Sequence, residues 1–300
     1  MISQHDLQAV VGHLTWFALL NRHTFAAFDQ IYEATRALGE SRAHAWPNVF
    51  GEVALFVALF PWLEADLRRP WQEHLVSSDA SPSYGFGVAV ARVSQSVVKT
   101  LGRFCTRPNT YVRLDRQHPY VDDEPARPRT GRAYKLGVSK AAFKTVISSQ
   151  ARHKANSGML EAHAVTLSLR WLLRSPSRHA RRTVLLVDAQ AVCGALAKGR
   201  SSAPTLRLEL KKIAALAIAG DIWLRIAYVP SEDNPSDAPS RGVVRIWRGS
   251  GARRQSNKVR KAHLKHPPRA HMVEDDIWRA THCGSASSRT RFRRIFRQFN

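Results

Sequence analysis

The order of the apolar segments between residues 72 and 229 constrains the fold of this chain more than any other feature. Residues 72–79 and 84–90 predict two strands joined by a turn at Ser81-Pro82-Ser83, and we interpret Val97 to Phe104 as a third strand. The later elements alternate, with predicted helices at 159–174, 189–197 and 204–219 and predicted strands at 182–188 and 222–229. Three hairpin-like strands followed by alternating helices and strands predict an α/β fold with a mixed five-stranded sheet flanked by helices.

The residues in front of this sheet predict a small helical region. Residues 5–38 carry apolar side chains at helical spacing and predict two helices with a short break at Asn21-Arg22-His23. A third helix is predicted over 48–59 and stops before Pro61, since proline cannot continue a helix. We therefore assign residues 1–70 to a helical region and residues 71–242 to the sheet domain.

Two polar segments interrupt or follow the sheet domain. Residues 106–135 are rich in proline and arginine and lack a clear period, so we interpret them as a long loop within an insertion at about 106–150. Beyond Gly242 the apolar periodicity fades, and residues 243–300 are predicted to be a basic, flexible tail.

The charge of the chain indicates a polyanionic partner. Its 46 Lys+Arg against 23 Asp+Glu give a net charge of +23 and a pI of about 11.0. Residues 243–300 hold 15 Lys+Arg and 3 Asp+Glu, so about half of the net charge lies in the last fifth of the chain. An excess of this size favours a nucleic acid, held by phosphate contacts that are independent of base sequence and sensitive to salt.

No membrane or secretory segment is predicted. The N-terminus lacks a charged and then apolar leader, so we expect a protein of the cytoplasm or nucleus that is not secreted. The longest apolar stretch, Val53 to Phe60, is shorter than the ~20 residues that cross a bilayer. The cysteines Cys105, Cys193 and Cys283 form no CxxC pair, which favours a reducing compartment.

Four acidic residues lie at positions from which their side chains can converge on one point. They are Asp79, Glu161, Asp188 and Asp237. Asp79 and Asp188 close predicted strands, and Glu161 opens a predicted helix. Four such carboxylates can hold two divalent cations about 4 Å apart, which activate water and stabilise the leaving oxygen in phosphodiester cleavage. Singly, Asp79 could start a turn, Glu161 could belong to an exposed first helical turn, and Asp188 could cap a helix. The set as a whole favours a metal-dependent nuclease site.

Four motifs surround these carboxylates. They are Ser78-Asp79-Ala80-Ser81 with Gly85-Phe86-Gly87, then Leu160-Glu161-Ala162-His163-Ala164, then Leu186-Val187-Asp188-Ala189-Gln190-Ala191-Val192, and finally the segment 229–241, which contains Asn234-Pro235-Ser236-Asp237-Ala238-Pro239-Ser240-Arg241. In this order they resemble the ribonuclease H domain of retroelement reverse transcriptases, above all those of DIRS-like elements with a tyrosine recombinase. Gly12-His13-Leu14-Thr15-Trp16 and Asp66-Leu67-Arg68-Arg69-Pro70-Trp71 resemble the thumb and connection region that precedes it, so the likeness covers residues 5–242.

The resemblance implies an RNase H-like fold and hydrolysis of the RNA strand of RNA–DNA hybrids. Asp79 and Asp188 match the central metal-binding pair. Glu161 would also orient the attacking water, and Asp237 would complete the second metal site. The implied cofactor is two Mg²⁺ or Mn²⁺ ions, which prefer oxygen ligands. The likeness does not include the fingers and palm of the polymerase. It therefore implies that this chain is either the C-terminal piece of a longer polyprotein, with the polymerase part as a further partner, or a decayed copy of such a piece.

Two departures from the family keep other functions open. The segment from Asp79 to Glu161 is longer than usual, and the histidine that many ribonucleases H carry before the last carboxylate is absent. A second hypothesis is therefore a catalytically silent, nucleic-acid-binding fragment of a decayed polyprotein. A third keeps the fold but assigns DNA cleavage or strand transfer.

Three other motifs compete with this assignment. Tyr120-Val121-Asp122-Asp123 matches the YxDD core of polymerase sites, but its polar flanks do not predict the buried hairpin that such a site needs. Glu232 and Asp233 compete with Asp237 as fourth ligand, and position within the motif favours Asp237. A zinc site is disfavoured because its candidate ligands fit no common finger spacing; they are His263, His266, His271, His282 and Cys283.

Overall fold

A computed structural model of the protein describes residues 3–38, 46–105, 109–115, 131–153 and 155–243. Its strands are β1 (His74–Ala80), β2 (Gly85–Arg92), β3 (Thr110–Asp115), β4 (Arg132–Ser139), β5 (Lys144–Gln150), β6 (Arg182–Val187) and β7 (Trp223–Tyr228). Its helices are α1 (Gln4–Ala18), α2 (Gln30–Ala37), α3 (Pro47–Leu59), α4 (Gln95–Phe104), α5 (Ser157–Leu173), α6 (Gln190–Lys198), α7 (Pro204–Ala219) and the short α8 (Asp237–Ser240).

Five of the strands form one mixed sheet in the order β5-β2-β1-β6-β7. β2 pairs antiparallel with both β1 and β5, whereas β6 runs parallel to both β1 and β7. In β6, five of the six residues are buried, as expected for a strand covered on both faces. The predicted α/β fold, a mixed five-stranded sheet packed against helices and preceded by a helical region, is confirmed.

The two faces of the sheet enter two different cores. Val76 and Leu185 pack with residues of α5, α6 and α7 on one face. Leu75 and Leu186 pack on the other face with Leu101 of α4 and with residues of β3 and β4. Successive side chains of a strand point to opposite faces, so neighbours in sequence contribute to separate layers.

The interpretation of Val97 to Phe104 as a strand is wrong, because these residues belong to helix α4. Val98, Leu101 and Phe104 are buried at a spacing of three residues, and the charged side chains between them are exposed. A short apolar run does not by itself separate a strand from a buried helix. The third strand of the sheet is β5, which lies inside the stretch 106–150 that we interpreted as an insertion.

The interpretation of 106–135 as a loop is wrong where the structure describes that segment. Residues 110–115 form β3, which pairs in parallel with β4 as a separate two-stranded sheet. Val112 and Leu114 are buried, and the residues beside them are more exposed, which is the alternation of a half-buried strand. The proline and arginine content of the surrounding residues concealed this short period in the sequence.

The N-terminal helices α1, α2 and α3 agree with the three predicted helices and have a core of their own. Ile31 and Phe56 are fully buried in it, and Ile218 of α7 joins this core to the sheet domain. The carboxylate of Glu52 on α3 accepts the main-chain N–H groups of residues 29–31 at 2.9–3.0 Å. Glu52 thereby caps α2, whose own N-cap residue, Asp29, makes no side-chain capping hydrogen bond.

Some sequence features fall outside this description. None of the helices within the described residues is long and apolar enough to cross a membrane. The Tyr120-Val121-Asp122-Asp123 motif, the histidines and cysteine between 263 and 283, and the basic tail beyond Val243 lie outside the described residues.

Candidate metal centre

Three acidic side chains meet at the carboxyl edge of the central strands. Asp79 is the next-to-last residue of β1, Asp188 directly follows β6, and Glu161 lies in the second turn of α5. One carboxylate oxygen of each lies within 4.8 Å of those of the other two. The structure therefore brings together three of the four residues that the sequence predicted as metal ligands.

The pairing of β1 with β6 explains why Asp79 and Asp188 are neighbours. The two strands are parallel, and Ser78 lies opposite Val187. The next residue of each strand is the aspartate, so both carboxylates emerge side by side at the same edge. Parallel strands place their carboxyl ends together, which is where α/β folds commonly bind ligands.

Burial and mutual repulsion raise the pKa values of two of these carboxyl groups. The pKa of Asp79 rises to about 8, first because the group is buried and next because Asp188 lies beside it. The pKa of Glu161 rises to about 9, again first by burial and then by the charges of Asp79 and Asp188. Both residues are less than one-tenth exposed. A cation among the three would favour their ionised forms.

Glu161 carries a buried oxygen that makes no hydrogen bond. The main chain of Ala80 partly offsets the rise in the pKa of this carboxyl, but its buried Oε2 has no hydrogen-bond partner. A buried carboxylate oxygen without a donor costs free energy unless a ligand satisfies it. The donor set consists of carboxylate oxygens, which hard divalent cations prefer. This buried Asp/Glu/Asp group could hold a metal ion.

Asp237, the fourth predicted ligand, lines the same cleft but contacts a different group. Its Oδ1 accepts hydrogen bonds from Nε and Nη2 of Arg241 at 3.0 and 2.8 Å. Its charge still contributes to the raised pKa values of Asp79 and Glu161. Asp237 is thus near the three clustered carboxylates, but its side chain is turned to Arg241.

A buried polar network fastens the segment that carries Asp237 to β1. The Asn234 side chain accepts from the Ser77 hydroxyl and donates to the carbonyl of Ser78 at 3.1 Å. The Ser236 hydroxyl donates to the carbonyl of Ser77 at 2.8 Å, and the Ser240 hydroxyl contacts Asp79. The four side chains of Ser77, Asn234, Ser236 and Ser240 are fully buried.

Gly87 allows this segment to approach the sheet. It lies opposite Asp79 in β2, and a Cβ at this position would lie 2.4 Å from the Ser236 carbonyl oxygen and 2.5 Å from the Ser240 nitrogen. Both atoms belong to the main chain, so a side chain at Gly87 would push α8 away from the sheet. Sequence reasoning missed these supporting residues, although paired serines in an otherwise apolar strand are a signal that buried polar partners exist.

Glu232 and Asp233, the competing candidates for the fourth ligand, are both engaged elsewhere. Nη1 of Arg113 on β3 lies 3.0 Å from Glu232 and 2.9 Å from Asp233. Lys140 also donates to the carbonyl of Glu232 at 2.9 Å. The small second sheet thus holds the turn that precedes Asn234, and neither acid belongs to the clustered carboxylates.

An open cleft of about 610 Å³ gives access to the carboxylates. Its walls come from the turn after β1, the start of α5, the start of α6 and the segment around Asp237. Polar side chains on these walls include Ser81, Ser157, Gln190 and Arg241. The cleft can therefore admit a polar, extended ligand to the carboxylate edge.

No family model matches the chain, and no curated protein matches it. The chemistry of the site is therefore inferred from its own residues.

Proposed function

We propose that this protein is a metal-dependent nuclease of ribonuclease H type, which cleaves the RNA strand of RNA–DNA hybrids as the C-terminal part of a retroelement reverse transcriptase. The observation that carries the proposal is the convergence of Asp79, Glu161 and Asp188 at the carboxyl edge of a mixed sheet, with oxygens within 4.8 Å of one another. The mixed sheet also fits the RNase H-like fold that the sequence motifs imply.

Each carboxylate has a role that its position supports. Asp79 and Asp188 would form the central pair of ligands, since adjacent parallel strands hold them side by side. Glu161 would bind from α5 and orient the attacking water, and Asp237 would complete the set. Two Mg²⁺ or Mn²⁺ ions would supply Lewis acidity and a lowered pKa of water, the chemistry that phosphodiester hydrolysis requires.

The substrate class follows from charge and from the motifs. The net charge of +23 favours a polyanion, and the open cleft gives a strand access to the carboxylates. Contacts to phosphates do not read the base sequence, so we expect cleavage at many positions. These contacts are electrostatic, so binding should weaken as the salt concentration rises. The choice of an RNA–DNA hybrid rests on the resemblance of the four motifs.

A comparison of substrates tests this proposal. The purified chain is incubated with end-labelled RNA–DNA hybrid, duplex DNA or single-stranded RNA, each with Mg²⁺, Mn²⁺ or chelator. We expect loss of the RNA strand from the hybrid with either metal and none with chelator. Preferential cleavage of duplex DNA would instead support the DNA-cleaving hypothesis. Salt-sensitive binding without cleavage of any substrate would support the silent nucleic-acid-binding fragment.

A further inference from the structure

A group of arginines lies at the amino edge of the sheet, at the opposite end of the parallel strands from the carboxylate cluster. Arg182 begins β6, and Arg225 is the third residue of β7. Arg178 lies in the connection that precedes β6, and its main-chain carbonyl accepts the side-chain amide of Gln72 at 2.6 Å. The main-chain N–H of the same buried glutamine donates to the carbonyl of Arg182 at 2.9 Å, so it holds the connection beside the strand. With two further arginines of this connection they form a group that we call the amino-edge arginines: Arg174, Arg178, Arg181, Arg182 and Arg225.

Tryptophan rings support several of the amino-edge arginines. The guanidinium carbon of Arg178 lies 3.7 Å from the ring centre of Trp171. Those of Arg182 and Arg225 lie 5.1 and 5.4 Å from the ring centre of Trp223, so they are at most about 11 Å apart. A guanidinium that stacks on a ring uses its face and leaves the N–H donors along its edge for a ligand.

The positive charge of this group is not neutralised by neighbouring acids. Within the part of the chain that the structure describes, no acid forms an ion pair with an amino-edge arginine, and Asp221, which precedes β7, lies 2.8 Å from Arg69 instead. Burial lowers the pKa of Arg178, and the charge of Arg174 lowers it further. Like charges held this close repel each other, so an anion bound among them would be stabilised.

We propose that the amino-edge arginines form a second nucleic-acid surface, which binds the phosphate backbone of a duplex away from the cleft. β6 has six residues, so at about 3.3 Å per residue this surface lies roughly 20 Å from the carboxylates. One strand of a duplex presents about three phosphates over the length that separates Arg182 from Arg225. The inference goes beyond the proposed nuclease function, because it requires neither metal nor cleavage.

The covered tryptophan rings favour a duplex over a single strand or a lipid surface. Proteins hold single strands largely by stacking the bases on open aromatic rings. Trp171 and Trp223 are half-buried, and guanidinium groups lie over their rings, so these rings are not open platforms for bases. A lipid surface would need exposed apolar side chains in the same place. A duplex backbone needs only cationic donors, and it carries more charge per length than one strand.

The test measures binding of the full chain to duplex DNA of about 20 base pairs, with chelator, at several salt concentrations. In the variant Arg178→Gln/Arg225→Gln, the slope of log affinity against log salt should fall by about two, because two phosphate contacts are lost. The affinity at about 0.1 M salt should fall by roughly 10-fold or more. Binding to a single strand of the same length should weaken less.

A control variant removes the same charge elsewhere. Arg36→Gln/Lys135→Gln changes two exposed residues, which lie on α2 and β4 and do not line the cleft. Its salt slope should differ from that of the parent by less than about 0.5.

A second variant leaves the contacts between arginine and tryptophan intact. Arg174→Gln/Arg181→Gln changes two residues of the connection that make no ring contact within the described residues. Its melting temperature should match that of the parent, and its salt slope for the duplex should also fall by about two.

Three results would overturn the inference. The first is a parental salt slope in both amino-edge variants, and the second is an equal fall of the slope in the control. The third is parental duplex binding together with lost binding to anionic lipid vesicles, which would assign this edge to a membrane. If Arg178→Gln/Arg225→Gln melts at a lower temperature than the parent, the slope of Arg174→Gln/Arg181→Gln decides. Every binding measurement contains chelator, so a parent that cleaves no substrate refutes the nuclease proposal and leaves this test unchanged.

Discussion

Replacement of Glu161 by glutamine should stabilise the metal-free protein, and the gain should grow with pH. The folded-state pKa of Glu161 is raised from 4.5 to about 9. Between these values the unfolded chain releases a proton that the folded chain retains, so the free energy of unfolding falls as pH rises. The loss is about 1.4 kcal/mol for each pH unit, or roughly 5 kcal/mol at pH 8 and less than about 1 kcal/mol at pH 5.

Glutamine removes this penalty while it retains the shape of the side chain. A neutral amide does not repel Asp79 or Asp188, whose charges help to raise the pKa of Glu161. Since solvent reaches this edge of the sheet, we expect Glu161→Gln to raise the free energy of unfolding by about 2–5 kcal/mol at pH 8. At pH 5 the gain should fall below about 1 kcal/mol.

Urea unfolding with chelator at pH 5 and pH 8, followed by circular dichroism, measures this difference. Glu73→Gln is the matched control, because Glu73 is about half exposed at the opposite end of β1, and it should change stability by less than about 0.5 kcal/mol at either pH. Excess Mg²⁺ should reduce the difference in unfolding free energy between the two chains at pH 8, because only the parent binds the ion with its full set of carboxylates. A Glu161→Gln chain that is no more stable than the parent at pH 8, or that gains equally at both pH values, would refute the reasoning.

Three further predictions concern protons, packing and support of the site. Metal binding at pH 7 should release protons, because Asp79 and Glu161, with pKa values of about 8 and about 9, are protonated in the metal-free cluster. Calorimetry in buffers of different ionisation heat measures this release, and a binding heat that does not depend on the buffer would contradict it. Gly87→Ala should lower the free energy of unfolding by about 1–3 kcal/mol and abolish cleavage, because its Cβ would lie 2.4 Å from a main-chain oxygen. Gly137→Ala on β4 should do neither, because a Cβ at that position would meet no atom within 4 Å. Arg113→Gln should lower the free energy of unfolding in urea by about 3 kcal/mol, because it removes the guanidinium from the two buried carboxylates of Glu232 and Asp233. A loss under about 1 kcal/mol would show that other contacts hold the turn formed by these two residues.

The sequence predicted the central part of the site because that part depends on strand order. Asp79 and Asp188 each close an apolar segment that predicts a strand, and in the predicted mixed sheet the structure places these two strands side by side and parallel. Their carboxyl ends then meet at one edge whatever the details of packing. Glu161 stands near the start of a helix with a clear apolar face, so its location was also predictable.

Other features depend on contacts that no local pattern encodes. Helix α4 was predicted as a strand because a short apolar run fits both periods, and only the packing of Val98 and Leu101 decides between them. Strand β5 was missed because it is a half-buried edge strand, whose burial pattern lacks a clear alternation. The pairing of Asp237 with Arg241 joins two residues of one motif, and sequence alone does not say whether the carboxylate faces the arginine or the cluster.

The most direct test of the account is metal-dependent cleavage of a labelled RNA–DNA hybrid by the parent chain and by Asp188→Asn. The account predicts loss of the RNA strand with Mg²⁺ or Mn²⁺ for the parent, and a rate at least about 100-fold lower for the variant. Glu73→Gln, at the far end of the sheet, should cleave like the parent. Equal cleavage by the parent and Asp188→Asn would contradict the assignment of the site, and binding without cleavage by the parent under both metals would contradict the nuclease function.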